Sequence, residues 1–162
     1  MRLPAVKNQK GFTLIEVIVY AAILAGFFVF SITFASRIIE YAGHLEKQRE
    51  LGENQRFLEQ KLQWVLSGIQ TVAAPQEGIA SSTLSVTKAN FLYNPVIVTW
   101  ANGAVRLSLQ NGTPVALTNR FATVTSLAFD QMNLAGQHAV RVRTLLQNDV
   151  ATTSIDMMVY YK

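Results

Sequence analysis

The sequence has no cysteine. A disulfide framework and a thiolate metal centre are therefore both excluded. Histidine is nearly as scarce. His44 and His138 are the only two, far apart in the chain, and neither has a second ligand at the spacing of a helical metal site. Both are read as exposed polar residues. No phosphate-cradling glycine loop occurs, because Asn102-Gly103 and Asn111-Gly112 are turn dipeptides, and the G-x-S-x-G elbow is missing. Enzymatic chemistry needs nucleophiles, acids or metal ligands that converge. No such set is visible, so no catalytic residue, cofactor or metal is expected. Asp130, Asn133, Asp149 and Asp156 offer oxygen ligands but lack the spacing of a calcium loop. Turn and solvent roles are expected for them.

Half of the 162 residues are apolar, and the mean hydropathy is +0.23. That balance fits a membrane segment joined to a modest globular part. The formal charge of +4 is unevenly placed, since Arg2, Lys7 and Lys10 stand before the long apolar run with no acid among them. Without residues 1–11, eleven basic and ten acidic residues remain, a balance of +1. The basic character therefore belongs largely to the N-terminus and is a poor electrostatic footprint for nucleic acid.

Phe12 to Ser36 reads FTLIEVIVYAAILAGFFVFSITFAS, with Glu16 its one charged side chain. As a helix it is about 38 Å long at 1.5 Å per residue, enough to cross a hydrocarbon core of about 30 Å. Basic residues before it keep the N-terminus cytoplasmic and export the rest. A secretory signal peptide should have an apolar region of about 7–15 residues followed by a cleavage site. This run is longer, so a cut before it, at Gly11-Phe12, fits better. Glu16 is the anomaly. A carboxylate in a membrane helix costs on the order of a few kcal/mol, less near the bilayer edge, and implies a function and a partner. An amine freed at Phe12 would supply a cation one turn away, in the same helix or in a neighbour. Pairing with a neighbour would set the axial register between subunits, because one buried ion pair tolerates little sliding.

Lys10-Gly11-Phe12-Thr13-Leu14-Ile15-Glu16-Val17 resembles the cleavage and methylation motif of type IV prepilins and type II secretion pseudopilins. The resemblance implies that a prepilin peptidase cuts after Gly11 and methylates the amine of Phe12. It implies that Glu16 contacts the first residue of an adjacent subunit during assembly. The partners it implies are that peptidase, other pilin or pseudopilin subunits, an inner-membrane assembly platform and membrane lipid. The strong likeness covers residues 7–36. No proline interrupts this helix, only Gly26, which leans toward a minor pilin or pseudopilin. Residues 96–147 bear a thin likeness to minor pseudopilins of the J type.

Downstream, residues 37–72 favour helix. Leu51, Leu58, Leu62, Val65, Ile69 and Val72 form an apolar stripe, opposite Glu53, Arg56, Glu59 and Lys61. Gly43 and Gly52 interrupt the pattern and could mark a bend. Residues 73–82 read as a linker. Strands are predicted over Pro95–Trp100 and Ala104–Leu109 around the Asn-Gly hairpin signal. Further strands are predicted at Val115–Thr118, Ala122–Met132 (with a bulge between Val124 and Leu127), Ala139–Gln147 and Ile155–Tyr161.

The predicted class is α+β and pilin-like: a long N-terminal helix, transmembrane then amphipathic, packed on an antiparallel sheet. The expected segments are a basic leader over 1–11, a membrane and filament-core helix over 12–36, its amphipathic extension over 37–72, and a linker with sheet head over 73–162. Trp64, Phe91, Trp100 and Phe129 are expected in the core. The functional expectation is a minor pilin or pseudopilin of a type IV pilus or type II secretion pseudopilus. It would sit in the inner membrane with its head exported, and then in the filament. The alternative is a DNA-binding or adhesive tip subunit of an uptake pilus, using Arg106, Arg141 and Arg143 on polar strand faces, with Arg120 in a nearby loop.

Overall fold

The computed structural model describes residue 11, residues 13–134 and residues 136–161. Helix α1 runs from Leu14 to Leu66, and helical structure continues through Gly43 and Gly52. Thr13 caps its start. The amide of Glu16 donates to the Thr13 carbonyl at 3.1 Å and approaches its hydroxyl at 3.4 Å, satisfying donors that a helix N-terminus leaves open. At the other end Ser67 donates from its amide to Gln63 O (2.9 Å) and from its hydroxyl to Trp64 O (2.8 Å). Gly68 then takes a φ of +66°, the left-handed geometry that ends helices. The Lys88 amine adds a cation at this C-terminus, bonding to Trp64 O while lying 4.1 Å from the Trp64 ring centroid.

The chain divides into two units, Met1–Gly43 and His44–Lys162. In the first, the described helix buries nothing. Its large apolar side chains are exposed on every side, from Leu14 and Ile15 to Phe34 and Ile39. The stretch contains an 18-residue window long and apolar enough to cross a membrane. Its hydroxyls are closed off internally: Ser31, Thr33 and Ser36 donate to the carbonyls of Phe27, Val29 and Ile32 at 2.8–3.0 Å. Such back-bonding leaves few polar atoms for lipid to solvate.

In the second unit, α1 turns one face inward. Leu51, Leu58, Leu62 and Val65 are buried, as the stripe predicts, and Leu66, which the stripe did not include, is buried beside them. Eight strands follow: β1 (Ile69–Ala74), β2 (Thr83–Lys88), β3 (Val96–Ala101), β4 (Ala104–Leu109), β5 (Val115–Ala116), β6 (Thr123–Leu134), β7 (Gln137–Gln147) and β8 (Thr152–Tyr161). They form two antiparallel meanders, β1-β2-β3-β4-β5 and β6-β7-β8. The core joins the helical leucines to Leu84, Val86, Val96, Val98 and Val105 of the first sheet. Val124, Phe129, Val140, Val142, Leu146 and Ile155 complete it from the second. The sheets are stitched by Phe129 N to Ser81 O and Val124 N to Gly103 O, both 2.8 Å, and by the Trp100 indole donating to Val124 O at 3.1 Å.

Polar contacts fasten this part of the helix to the sheets. Buried Asn54 spans from Glu50 O to the amide of Asn119. Gln55 donates to Ser154 O and accepts from the Thr153 hydroxyl. Asn148 donates to Lys47 O at 2.8 Å, beside the Lys47–Asp149 ion pair.

Several expectations are corrected. The helix stops at Leu66 rather than at 72, and residues 69–74 are β1, because Gly68 breaks the helix and Ile69 and Val72 feed a bulged edge strand. Part of the expected linker is therefore strand. The head holds two sheets rather than one, and β2 was not foreseen. Trp64 is 39% exposed, because it covers the Lys88 amine instead of entering the core. Phe91 and Trp100 are half-buried against the core, and Phe129 is fully buried.

Candidate functional site

The site begins at Gly11, which is exposed. A Cβ placed there would meet no described atom within 4 Å. Packing in the monomer does not require glycine at this position. Phe12, the expected new N-terminus and methylation site, lies outside the described residues, as does the leader before Gly11.

Glu16 occupies the third position of α1, in its first turn. An acid there suits the partial positive charge of a helix N-terminus. Thr13-x-x-Glu16 has the spacing of a capping box, in which the glutamate can reach back toward the N-cap. The carboxylate instead has a partner further along the helix. The Tyr20 hydroxyl lies 3.4 Å from Glu16 Oε1, four residues on. Glu16 is half-buried, whereas residues 13–15 and 17–30 are exposed. The site is thus a carboxylate in an apolar helix, sheltered by an aromatic hydroxyl, with its amide tied to Thr13.

The three arginines do not form one surface. Arg141 and Arg143 lie on β7. Arg141 makes a two-pronged bond to Asp156 at 2.9 and 2.6 Å, and Arg143 donates to Asp130 at 2.7 Å. The result is a cluster of two cations and two anions with no net charge. The bond to Arg141, aided by its charge, holds the Asp156 carboxyl below the usual range, and the bond to Asp156 raises the Arg141 guanidinium. Arg106 sits on β4, in the other sheet, with a buried Nε that has no hydrogen-bond partner among the described residues. Arg120 lies over the ring of Phe121, 4.8 Å from its centroid.

The oxygen-bearing residues are also engaged. Asp130 and Asp156 serve the arginines, Asp149 pairs with Lys47, and Asn133 Oδ1 accepts from the amide of Gly136 at 3.0 Å. Among the described residues no cluster of His, Asp and Glu could hold a metal ion. His44 is exposed, but His138 is half-buried. It stacks on Tyr161 at 5.6 Å, so its reading as exposed is corrected.

Sequence reasoning passed over Thr13 and Tyr20. Both were legible: the first as the residue three before an acid at a helix start, the second as an aromatic hydroxyl one turn beyond it. Lys88 had no comparable signal, since its partner at the helix end is 24 residues away in sequence.

Residues 6–25 match the family model described as the prokaryotic N-terminal methylation motif. No curated protein and no solved structure gives a significant match.

Proposed function

Proceeding from a chain that carries the N-terminal methylation motif of the type IV prepilins and pseudopilins, we propose that it is a minor pilin or pseudopilin built into a filament through α1. The precursor sits in the inner membrane with its basic end cytoplasmic and its head exported. A prepilin peptidase cuts after Gly11 and methylates Phe12. The inner-membrane assembly platform then moves the subunit from lipid into contact with other pilins, where Glu16 meets the first residue of a neighbour.

The observation that carries this reading is Glu16 itself, a half-buried carboxylate in the first turn of a helix that otherwise presents apolar side chains on every side. Association of such helices by apolar contact alone would fix neither depth nor rotation. A carboxylate that meets one cation fixes both.

The test uses two replacements. Glu16→Ala should be cut normally but should reach filaments poorly. Gly11→Val should leave the longer precursor in the membrane. Masses of the recovered chains report cleavage, and the sheared filament fraction reports incorporation. Recovery of the natural chain with residues 1–11 attached would sink the reading. The nucleic-acid alternative lacks a comparable observation, because Arg141 and Arg143 are already neutralised and Arg106 stands apart.

A further inference from the structure

We infer that Tyr20 is the positioning residue for the Glu16 carboxylate, holding it along α1 before a neighbouring subunit arrives. The inference rests on the assembly role proposed for Glu16. Residues four apart on a helix share one face, with side chains within reach. Here they carry an acceptor and a donor: the Tyr20 hydroxyl lies 3.4 Å from Oε1, at the outer edge of hydrogen-bonding distance. Glu16 is half-buried on a helix whose neighbouring side chains are exposed.

The consequence concerns geometry more than charge. An unpartnered glutamate in lipid would swing toward the nearest water, as long polar side chains do. A donor one turn deeper opposes that swing and keeps the carboxylate against the helix. One oxygen faces Tyr20. Oε2 has no bond within the described residues and remains for an incoming amine. A carboxylate accepts several hydrogen bonds at once, so the hydroxyl need not leave when the amine binds. Tyr20 therefore acts through Glu16.

The experiment uses the full chain. Precursor labelled with 13C-carboxyl glutamate is placed in lipid vesicles, and the Glu16 band is isolated by subtracting the infrared spectrum of Glu16→Gln. Tyr20→Phe keeps the ring and removes only the hydroxyl. The expected result is a shifted Glu16 band, unchanged cleavage after Gly11, and a fall of about tenfold in the fraction of subunit recovered in filaments. Tenfold corresponds to about 1.4 kcal/mol.

An unmoved band overturns the inference, even if incorporation falls, because Tyr20 would then act by packing. A shifted band with wild-type incorporation overturns the positioning role. Normal incorporation of Glu16→Ala would sink the assembly role instead, while the spectrum would still report whether the pair exists.

Discussion

Replacing Leu58 by alanine should unfold the head at a markedly lower denaturant concentration, whereas replacing Leu45 should not. Leu58 is fully buried, in a core that also holds Leu62 and Val65 from the same helix and Phe129 and Val142 from the second sheet. Leu45, on the same helix, is 65% exposed. A Leu→Ala change in a packed core costs about 2–5 kcal/mol, the transfer term plus a cavity term. The site lies between helix and sheets, where collapse would require rigid elements to move, so about 3 kcal/mol is expected. A surface change stays within about 0.5 kcal/mol. For a fragment spanning 44–162, the unit that clusters by itself, a urea slope of about 1–3 kcal/mol per molar converts the loss into a midpoint shift of roughly 1.5 M. Equilibrium urea unfolding followed by circular dichroism measures it. Equal, small shifts for both variants would mean that the helix is an appendage of the head, and the assignment of its stripe to the core would be wrong.

Gly103→Ala should destabilise the head by about 1 kcal/mol. A non-glycine residue in the left-handed region costs about 1–2 kcal/mol, the stiffer unfolded chain returns some of it, and the new Cβ would stand 3.0 Å from Thr123 Cγ2 at a φ of +72°; urea unfolding checks this. Acid should weaken the head through Asp149 and Asp156, both held below the ordinary carboxylate value by their bonds to Lys47 and Arg141. A depressed carboxyl contributes fully above the unfolded value of about 3.9, and its contribution is lost as pH falls through the lower folded value. Urea midpoints between pH 5 and pH 2 should therefore drop, and drop less in a Lys47→Met, Arg141→Met variant. Finally, Arg141→Gln with Arg143→Gln should leave binding of the head to duplex DNA unchanged, since both guanidinium groups are already occupied. A salt slope that falls by about 0.9 per removed phosphate contact would revive the nucleic-acid reading.

Legibility in the sequence followed how local each determinant is. The β3–β4 hairpin was readable because Asn102-Gly103 takes φ values of +53° and +72°, the turn that this dipeptide favours. The bounds of β4 matched, and the slip between Val124 and Leu127 appears as a register shift between Val124 and Ser126. β1 was hidden because Ile69 and Val72 continue the helical spacing, while its own alternation is broken by two register shifts. β2 was hidden because Lys88, buried at 8% exposure, takes a core-facing place in the Leu84, Val86 alternation. Its amine is held by the helix end, and burial lowers it below the usual lysine range. The division into two sheets depends on which distant strands pair, and no short window carries that information. At the candidate site Glu16 was visible as a charge amid apolar residues. Tyr20 was not singled out, because a lone tyrosine in such a run reads as one more large side chain until its spacing from the acid is considered.

The same helix solves two different solvation problems, and the difference locates where specificity must come from. From Leu51 to Leu66 it buries a stripe among side chains of fixed shape, so packing alone dictates one orientation. From Leu14 to Ser36 it exposes large apolar side chains along its whole length. Such a surface suits lipid or other helices about equally well and favours no rotation or depth. Polar groups could break that degeneracy, yet Ser31, Thr33 and Ser36 spend their hydroxyls on their own backbone. From Leu14 to Ser36 Glu16 alone carries a charge, and among the described residues its hydrogen-bond partner is the neutral Tyr20 hydroxyl rather than a cation. On the assembly role proposed for Glu16, a partner that selects one arrangement of this helix over its apolar alternatives does so at that carboxylate. A set of filament-defective replacements between residues 17 and 36 that spared Glu16 and Tyr20 yet shifted the axial register of subunits would contradict that deduction.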